Sequence, residues 1–174
     1  TLQKQFHVIE QEGRNYTYLG FNLKNAKFKD KRIRQAISLA INRQEIVDLL
    51  FFGHAKVCTG PFLPKTYAYN PSILSPQPNY SLAKKLLAEV GYTPSHPLQF
   101  ELTTAISNPT RLYAAQIIQK QLAKVGIIVS IRVLEWQAFL KTVVTPRRFE
   151  SILLGWSMGL TPDAYSIWHS QSQR

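Results

Sequence analysis

The 174-residue chain has little with which to do covalent chemistry. It holds one cysteine, Cys58, so neither an internal disulfide nor a cysteine-built zinc site can form, and that residue is either a small buried apolar group or an exposed thiol. Acidic residues number ten against 21 lysines and arginines. They are scattered, and none forms a motif-spaced pair of the kind general acid–base catalysis uses. The four histidines, His7, His54, His96 and His169, lack the spacing of metal ligands. Ser107, Ser151 and Ser157 have no nucleophile-elbow context, and no glycine-rich loop is built to cradle phosphate. These shortages speak against an enzyme and against a resident metal or organic cofactor. Hydrophobic runs long enough to span a bilayer are also missing, as are repeats, low-complexity stretches and a signal peptide. Both ends read as interior to a longer polypeptide: residues 6–10 look strand-like at the very start, and the chain stops at Gln173-Arg174 without an ending signal. The missing signal peptide therefore says nothing about location.

What is present is enough for one domain with a real core, at 45% hydrophobic residues. The net charge is +11, and its densest cluster is Lys24, Lys27, Lys29, Lys31, Arg32 and Arg34. Such a cluster fits either a nucleic-acid or anionic-membrane patch or a solvated helix entry. No nucleic-acid motif accompanies it, which favours the helix entry and argues against a nucleic-acid partner.

The most informative stretch is residues 18–50. Residues 18–23 are aromatic and apolar enough for a buried strand. Asp30 is placed to cap a helix whose apolar face is Ile33, Ala36, Ile37, Ala40 and Ile41. Asn42 with Glu45 has the form of a capping box, in which the acid reaches back. Ile46, Val47, Leu49 and Leu50 follow as the apolar side of a second helix, which Gly53 ends. Residues 54–80 hold Pro61, Pro64, Pro71, Pro76 and Pro78 and are expected to be irregular. Ser81 is expected to cap a helix lined by Leu82, Ala83, Leu86, Leu87 and Val90 and stopped by Gly91. From residue 98 the pattern alternates: a half-buried strand at 98–103, a helix opened by Asn108-Pro109, and a strand at 127–134. A helix at 136–144 and a strand at 149–156 complete it. The helix from Pro109 has the stripe Leu112, Ala115, Ile118, Leu122 and Val125, and Gly126 stops it. This order predicts an α/β fold, a sheet with helical cover. Ligands in such sheets gather at the carboxyl ends of strands, here around Gly155-Trp156-Ser157. Trp136 and Trp156 can be core residues, or a flat apolar wall with indole N–H donors.

Three segments carry a family resemblance. Phe21-Asn22, Asp30, Arg32, Arg34-Gln35-Ala36 and Ala40-Ile41-Asn42-Arg43 match one motif spread over some twenty positions. Gly60-Pro61, Pro64 and Tyr69-Asn70-Pro71 resemble a second segment, and residues 83–92, A-K-K-L-L-A-E-V-G-Y, a third. Together they resemble the extracellular solute-binding proteins of family 5, which feed peptides, nickel and related solutes to ABC transporters. The resemblance implies a type II periplasmic-binding-protein-like lobe, with a mixed sheet flanked by helices. It implies that residues 1–174 form the C-terminal α/β lobe of a two-lobed protein, without the N-terminal lobe. It also implies a periplasmic or extracellular site, membrane association in the intact protein, and an ABC transporter permease as partner. The expected ligand is a peptide or related small solute.

In that family the E-W and L-G-W positions line the cleft, which makes Trp136, Trp156 and Ser157, with Met158 and Gly159 after them, the candidate ligand-binding residues. The proline-rich segment is expected beside the same cleft, or simply wrapped on the surface. Peptide-binding members carry an aspartate just after G-W for the ligand's ammonium, where this chain has Met158, Gly159 and Leu160. Dipeptide-binding members hold the ligand carboxylate with an arginine just before the N-P pair, where this chain has Ala105 and Ile106; Arg111 lies inside the helix instead. A ligand charge buried without its partner costs several kcal/mol, so an oligopeptide held mainly by its backbone is expected over a dipeptide. A nickel chelate, with His169 nearby, is the non-peptide alternative. A ligand-sensing domain of a transcriptional regulator is the alternative from another class, and an upstream helix-turn-helix would mark it.

Overall fold

The first strand forms where aromatic residues alternate with small ones. In the computed structural model, which describes residues 7, 9–64, 66–159 and 161–169, β1 is Asn15–Phe21. Of the strand expected at residues 6–10, Phe6 and Val8 lie outside the described residues, and His7, Ile9 and Glu10 carry no regular structure. A short 3-10 turn, Ala26–Phe28, then buries Phe28 completely.

Asp30 caps α1 (Lys31–Ala40) by accepting the Arg32 N–H at 2.8 Å, and the predicted face Ile33, Ala36, Ile37, Ala40 and Ile41 is buried. The basic cluster is partly engaged by the fold itself. Arg32 grips Asp30 with two nitrogens, Arg34 donates to the carbonyls of Phe28 and Lys29, and Lys27 pairs with Glu150.

At α2 (Arg43–Phe51) Asn42 accepts the Glu45 N–H at 3.1 Å as expected. The reciprocal half of the box is different. Asn42 N–H donates to Oε1 of the buried Gln121, whose Nε2 donates to Glu45 Oε2 at 2.8 Å and to the Asn42 carbonyl. A glutamine from a distant helix thus replaces the local contact. Leu49 is 56% exposed, because it lies two residues from Val47 and so on the opposite side of the helix. The helix stops at Phe52, in the left-handed region at φ 51°, one residue before Gly53.

The described residues of 54–79 form no helix or strand, as five prolines demand. His54 and Lys56 pair with Glu10 and Glu12, which lays the start of this loop along the segment entering β1. Cys58 is exposed. Asn79, not Ser81, caps α3 (Tyr80–Glu89), accepting the Leu82 N–H while its own N–H bonds the Leu39 carbonyl. The helix begins earlier than expected because that bond ties its cap to α1. Ala83 and Leu87 are buried, while Leu82 sits at the rim, 41% exposed. Gly91, at φ 90°, closes the helix with Tyr92 N–H on the Leu87 carbonyl, a geometry that favours glycine.

β2 (Gln99–Ala105), α4 (Pro109–Ala123) and β3 (Ile128–Leu134) follow. The predicted helix at 136–144 is one α-turn, α5 (Trp136–Phe139), widening into a π-helical turn over Leu140–Val144. β4 is Ser151–Ser157, and the last described helix, α6, is Tyr165–Trp168.

The sheet order is β1-β4-β2-β3, with β2 parallel to β3 and β4, and β1 antiparallel to β4. β2 was expected to be half buried, but five of its seven residues are buried. It is central, and both its faces are covered. Phe100 and Leu102 join α1, α3 and α4 on one side. Ala105 joins Phe139, Val143, Ile152 and Leu154 on the other.

Replacing Gln121 by Leu leaves the Asn42 N–H and the Glu45 carboxylate without their shared partner. We expect a loss of about 2–3 kcal/mol, the range for stranded buried polar groups, read as a lower urea midpoint with unchanged slope. Hydrogen bonds from Arg32 hold the Asp30 carboxyl at about 2, below its usual 3.8. At Glu150 burial alone would raise the pKa, but Lys27, the Glu101 N–H and Asn25 together bring it below 4.5. Both carboxylates therefore add stability above their unfolded values and lose it as pH falls through the folded ones. The unfolding midpoint should decline as pH drops from 4.5 toward 2, and Asp30→Asn or Glu150→Gln should flatten that decline.

Candidate functional site

The sheet topology selects one edge. From β2 the chain leaves through α4 to β3 on one side, then returns through α5 to β4 on the other. Strand order thus reverses between β2 and β4, which opens a crevice at their carboxyl ends. The amino end of antiparallel β1 lies at the same edge, with Tyr16 opposite Trp156 and Asn15 opposite Ser157. β4 carries Gly155, Trp156 and Ser157 beyond its last paired contact with β2.

Side chains alternate across β4. Trp156 shares its face with Ile152 and Leu154, above the α5 cluster, and is 43% exposed. Trp136 is half-buried, tilted against Phe139 with ring centroids 6.2 Å apart. It occupies the first position of α5, which Glu135 caps by accepting the Gln137 and Ala138 N–H groups. Ser157 and Gly159 are exposed. Met158 is buried, and its N–H bonds the Arg14 carbonyl at 3.0 Å. It therefore fastens the strand exit with its backbone while its side chain packs inward. Leu160 lies outside the described residues.

An aromatic group not anticipated from the sequence stands beside these residues. Trp168 Nε1–H donates to Tyr16 Oη at 3.1 Å, and its ring meets Tyr18 edge-on at 5.2 Å. Burial raises the pKa of both tyrosines, so their hydroxyls stay neutral donors and acceptors. His169 stacks on Tyr165 at 4.3 Å. The signal for this group was the alternation Tyr16-x-Tyr18; its partner Trp168 is 152 positions away, and only the fold unites them.

On the opposite face of β4, the Arg111 guanidinium sits against Gly155. A Cβ at Gly155 would overlap Arg111 Nη2 and sit 3.0 Å from Cζ, so only glycine leaves room for the guanidinium. Among the described residues, no group of three or more His, Cys, Asp or Glu side chains is placed to hold a metal ion.

A mixed sheet with helices on both faces is the layout of a type II periplasmic-binding lobe. The chain belongs to the bacterial extracellular solute-binding proteins, family 5, whose middle-region model matches residues 1–174. It is similar to the oligopeptide-binding protein AppA of Bacillus subtilis, 34% identical over 94% of this chain and 32% of that protein. The solved structure of AppA with a nonapeptide superposes with a TM-score of 0.86 at 32% identity, over 93% of this chain and 35% of the other. NikA of Staphylococcus aureus, solved with Ni(L-His)2, superposes with a TM-score of 0.72 at 31% identity, over 83% of this chain and 30% of the other. The chain thus spans about a third of the length of the curated relative AppA. These relatives are solute-binding transport proteins, not enzymes.

Gly155→Ala should cost less than about 1 kcal/mol, because the group it strikes is the far end of a flexible side chain. It should nevertheless shift the Arg111 Nε resonance in a 1H–15N spectrum. A loss of 3 kcal/mol or more, or an unmoved resonance, would contradict this placement of Arg111.

Proposed function

We propose that this chain is one lobe of a two-lobed receptor that captures peptides outside the cytoplasm and delivers them to an ABC transporter permease. Oligopeptides are the preferred class. The observation that carries this reading is the exposed aromatic edge at the crevice between β2 and β4, with Trp156 43% exposed although it sits at the end of a buried strand. The likeness to AppA, a protein solved with a nonapeptide, supports an extended ligand. Trp156 and Trp136 supply apolar walls, and Ser157 offers a hydroxyl. Met158 and Gly159 carry the chain away from the strand, with Met158 N–H fastened to the Arg14 carbonyl. A facing lobe of the same protein closes over the solute by hinge motion, and the ligand leaves chemically unchanged.

A nickel-chelate ligand is the second reading, favoured by the likeness to NikA. It is consistent with the absence of a metal-holding cluster among the described residues only if the chelator brings its own ligands.

The intact protein, purified without unfolding, should carry peptides detectable by native mass spectrometry; repeatedly empty or nickel-loaded spectra would overturn the peptide assignment. Trp156→Ala should weaken peptide binding about tenfold or more, in the range of an aromatic anchor. Because that ring is so exposed, the unfolding midpoint should move little.

A further inference from the structure

At the amino edge of β4, the end opposite Trp156, two basic segments far apart in sequence meet. β1 ends with Phe21 against Ser151, the first residue of β4, about 17 Å along the strand from Trp156. Just beyond, Asn22 joins the segments. Its N–H donates to the Glu150 carbonyl at 3.0 Å, and its Nδ2 donates to the carbonyls of Phe149 and Arg147 at 3.0 and 3.3 Å. Asn25 Nδ2 adds a bond to Glu150 Oε1 at 3.1 Å. Residues 22–34 and 146–150 thus form one surface with eight lysines and arginines and two acids, more than half of the net charge of +11. Both acids are already engaged, Glu150 by Lys27 and Asp30 by Arg32. Lys24, Lys29, Lys31 and Arg148 are exposed and make no ion pair among the described residues. Like charges gathered this closely repel one another, and counter-charge from outside relieves them.

The apolar content of this surface decides what supplies the counter-charge. Asn25 N–H closes a turn on the Asn22 carbonyl at 3.0 Å, with Leu23 and Lys24 at its tip. Leu23 is 45% exposed there, an aliphatic side chain set among cations. Nucleic-acid surfaces instead present aromatic rings on which bases stack, and here Phe28 is buried while Phe21 and Phe149 are half-buried. Cations around an exposed aliphatic tip match a lipid interface, where phosphates attract the charge and the apolar group enters the acyl boundary. We infer that the amino edge of this sheet docks on a bilayer of anionic phospholipid, with Leu23 at the acyl boundary and Lys24, Lys29, Lys31 and Arg148 on headgroup phosphates. This goes beyond solute capture and does not depend on it. Because the two edges lie at opposite ends of the strands, a docked lobe keeps Trp156 turned away from the bilayer.

The test uses the full-length polypeptide, expressed without acyl modification, in co-sedimentation with vesicles. One set is equal parts phosphatidylglycerol and phosphatidylcholine, the other phosphatidylcholine alone. Wild type should bind the anionic vesicles at least tenfold more tightly at low salt, and high salt should erase most of the difference. Lys29→Gln with Arg148→Gln should weaken that binding about tenfold or more. Lys24→Gln with Lys31→Gln, as a second pair, should do the same. A control pair, Lys120→Gln with Lys124→Gln, removes equal charge from α4 near the far end of α1, where Gln121 meets Asn42, and should change binding less than about threefold. Leu23→Ser should weaken it about threefold or more. The unfolding midpoint should be unchanged in every variant, because the substituted side chains are exposed. Equal binding to both vesicle sets, or an equal loss in the α4 control, overturns the docking surface. A Leu23→Ser protein that binds like wild type overturns the bilayer as its occupant. Tighter retention of a single-stranded oligonucleotide than of anionic vesicles, lost in the same variants, assigns the surface to nucleic acid and also overturns it. Peptide retention is read separately, so each of these results leaves solute capture standing.

Discussion

The parallel pairing of β4 with β2 is the contact on which the rest of the structure depends. It is short, registered at Leu102–Ser151 and Thr103–Ile152. Side chains lengthen it. Glu150 accepts the Glu101 N–H at 2.8 Å, Ser151 Oγ donates to the Glu101 carbonyl at 2.8 Å, and Thr104 Oγ1 donates to the Leu153 carbonyl. Thr104 and Ser151 are buried, so these hydroxyls are satisfied as buried polar groups must be. Glu150 also takes bonds from Asn25 and Lys27, tying the entry of α1 to the same junction. Because the pairing stops early, the end of β4 is free of β2. That freedom exposes Trp156 on one face and opens Gly155 to Arg111 on the other.

The two faces of β4 then have different tasks. One carries Trp156 beside the aromatic group of Tyr16, Tyr18 and Trp168. The other carries charge, built by Arg111 at a helix N-terminus.

Local signals were legible in the sequence because they are local in physics. The Asp30 cap, the α1 stripe and the glycine stop at Gly91 each depend on residues within a turn or two. What escaped was set by distant partners. Gln121 completes the cap of α2 from 79 positions away, so sequence spacing wrongly gave that task to Glu45 alone. β2 read as half-buried because its alternation could not reveal strands on both flanks. Trp136 and Trp156 were legible as aromatics at element ends, and they stand at the start of α5 and near the end of β4. Arg111 was visible as an arginine but not as an unpaired one. Its isolation is a property of the crevice, which exists only once β2 and β4 are neighbours.

The central claim is that the carboxyl edge of β2 and β4 is the wall against which a solute is held. The most direct measurement is a crystal structure of the full-length protein with its co-purified ligand. The account predicts solute atoms in van der Waals contact with the Trp156 indole. A solute bound elsewhere, with Trp156 covered by protein alone, would contradict it.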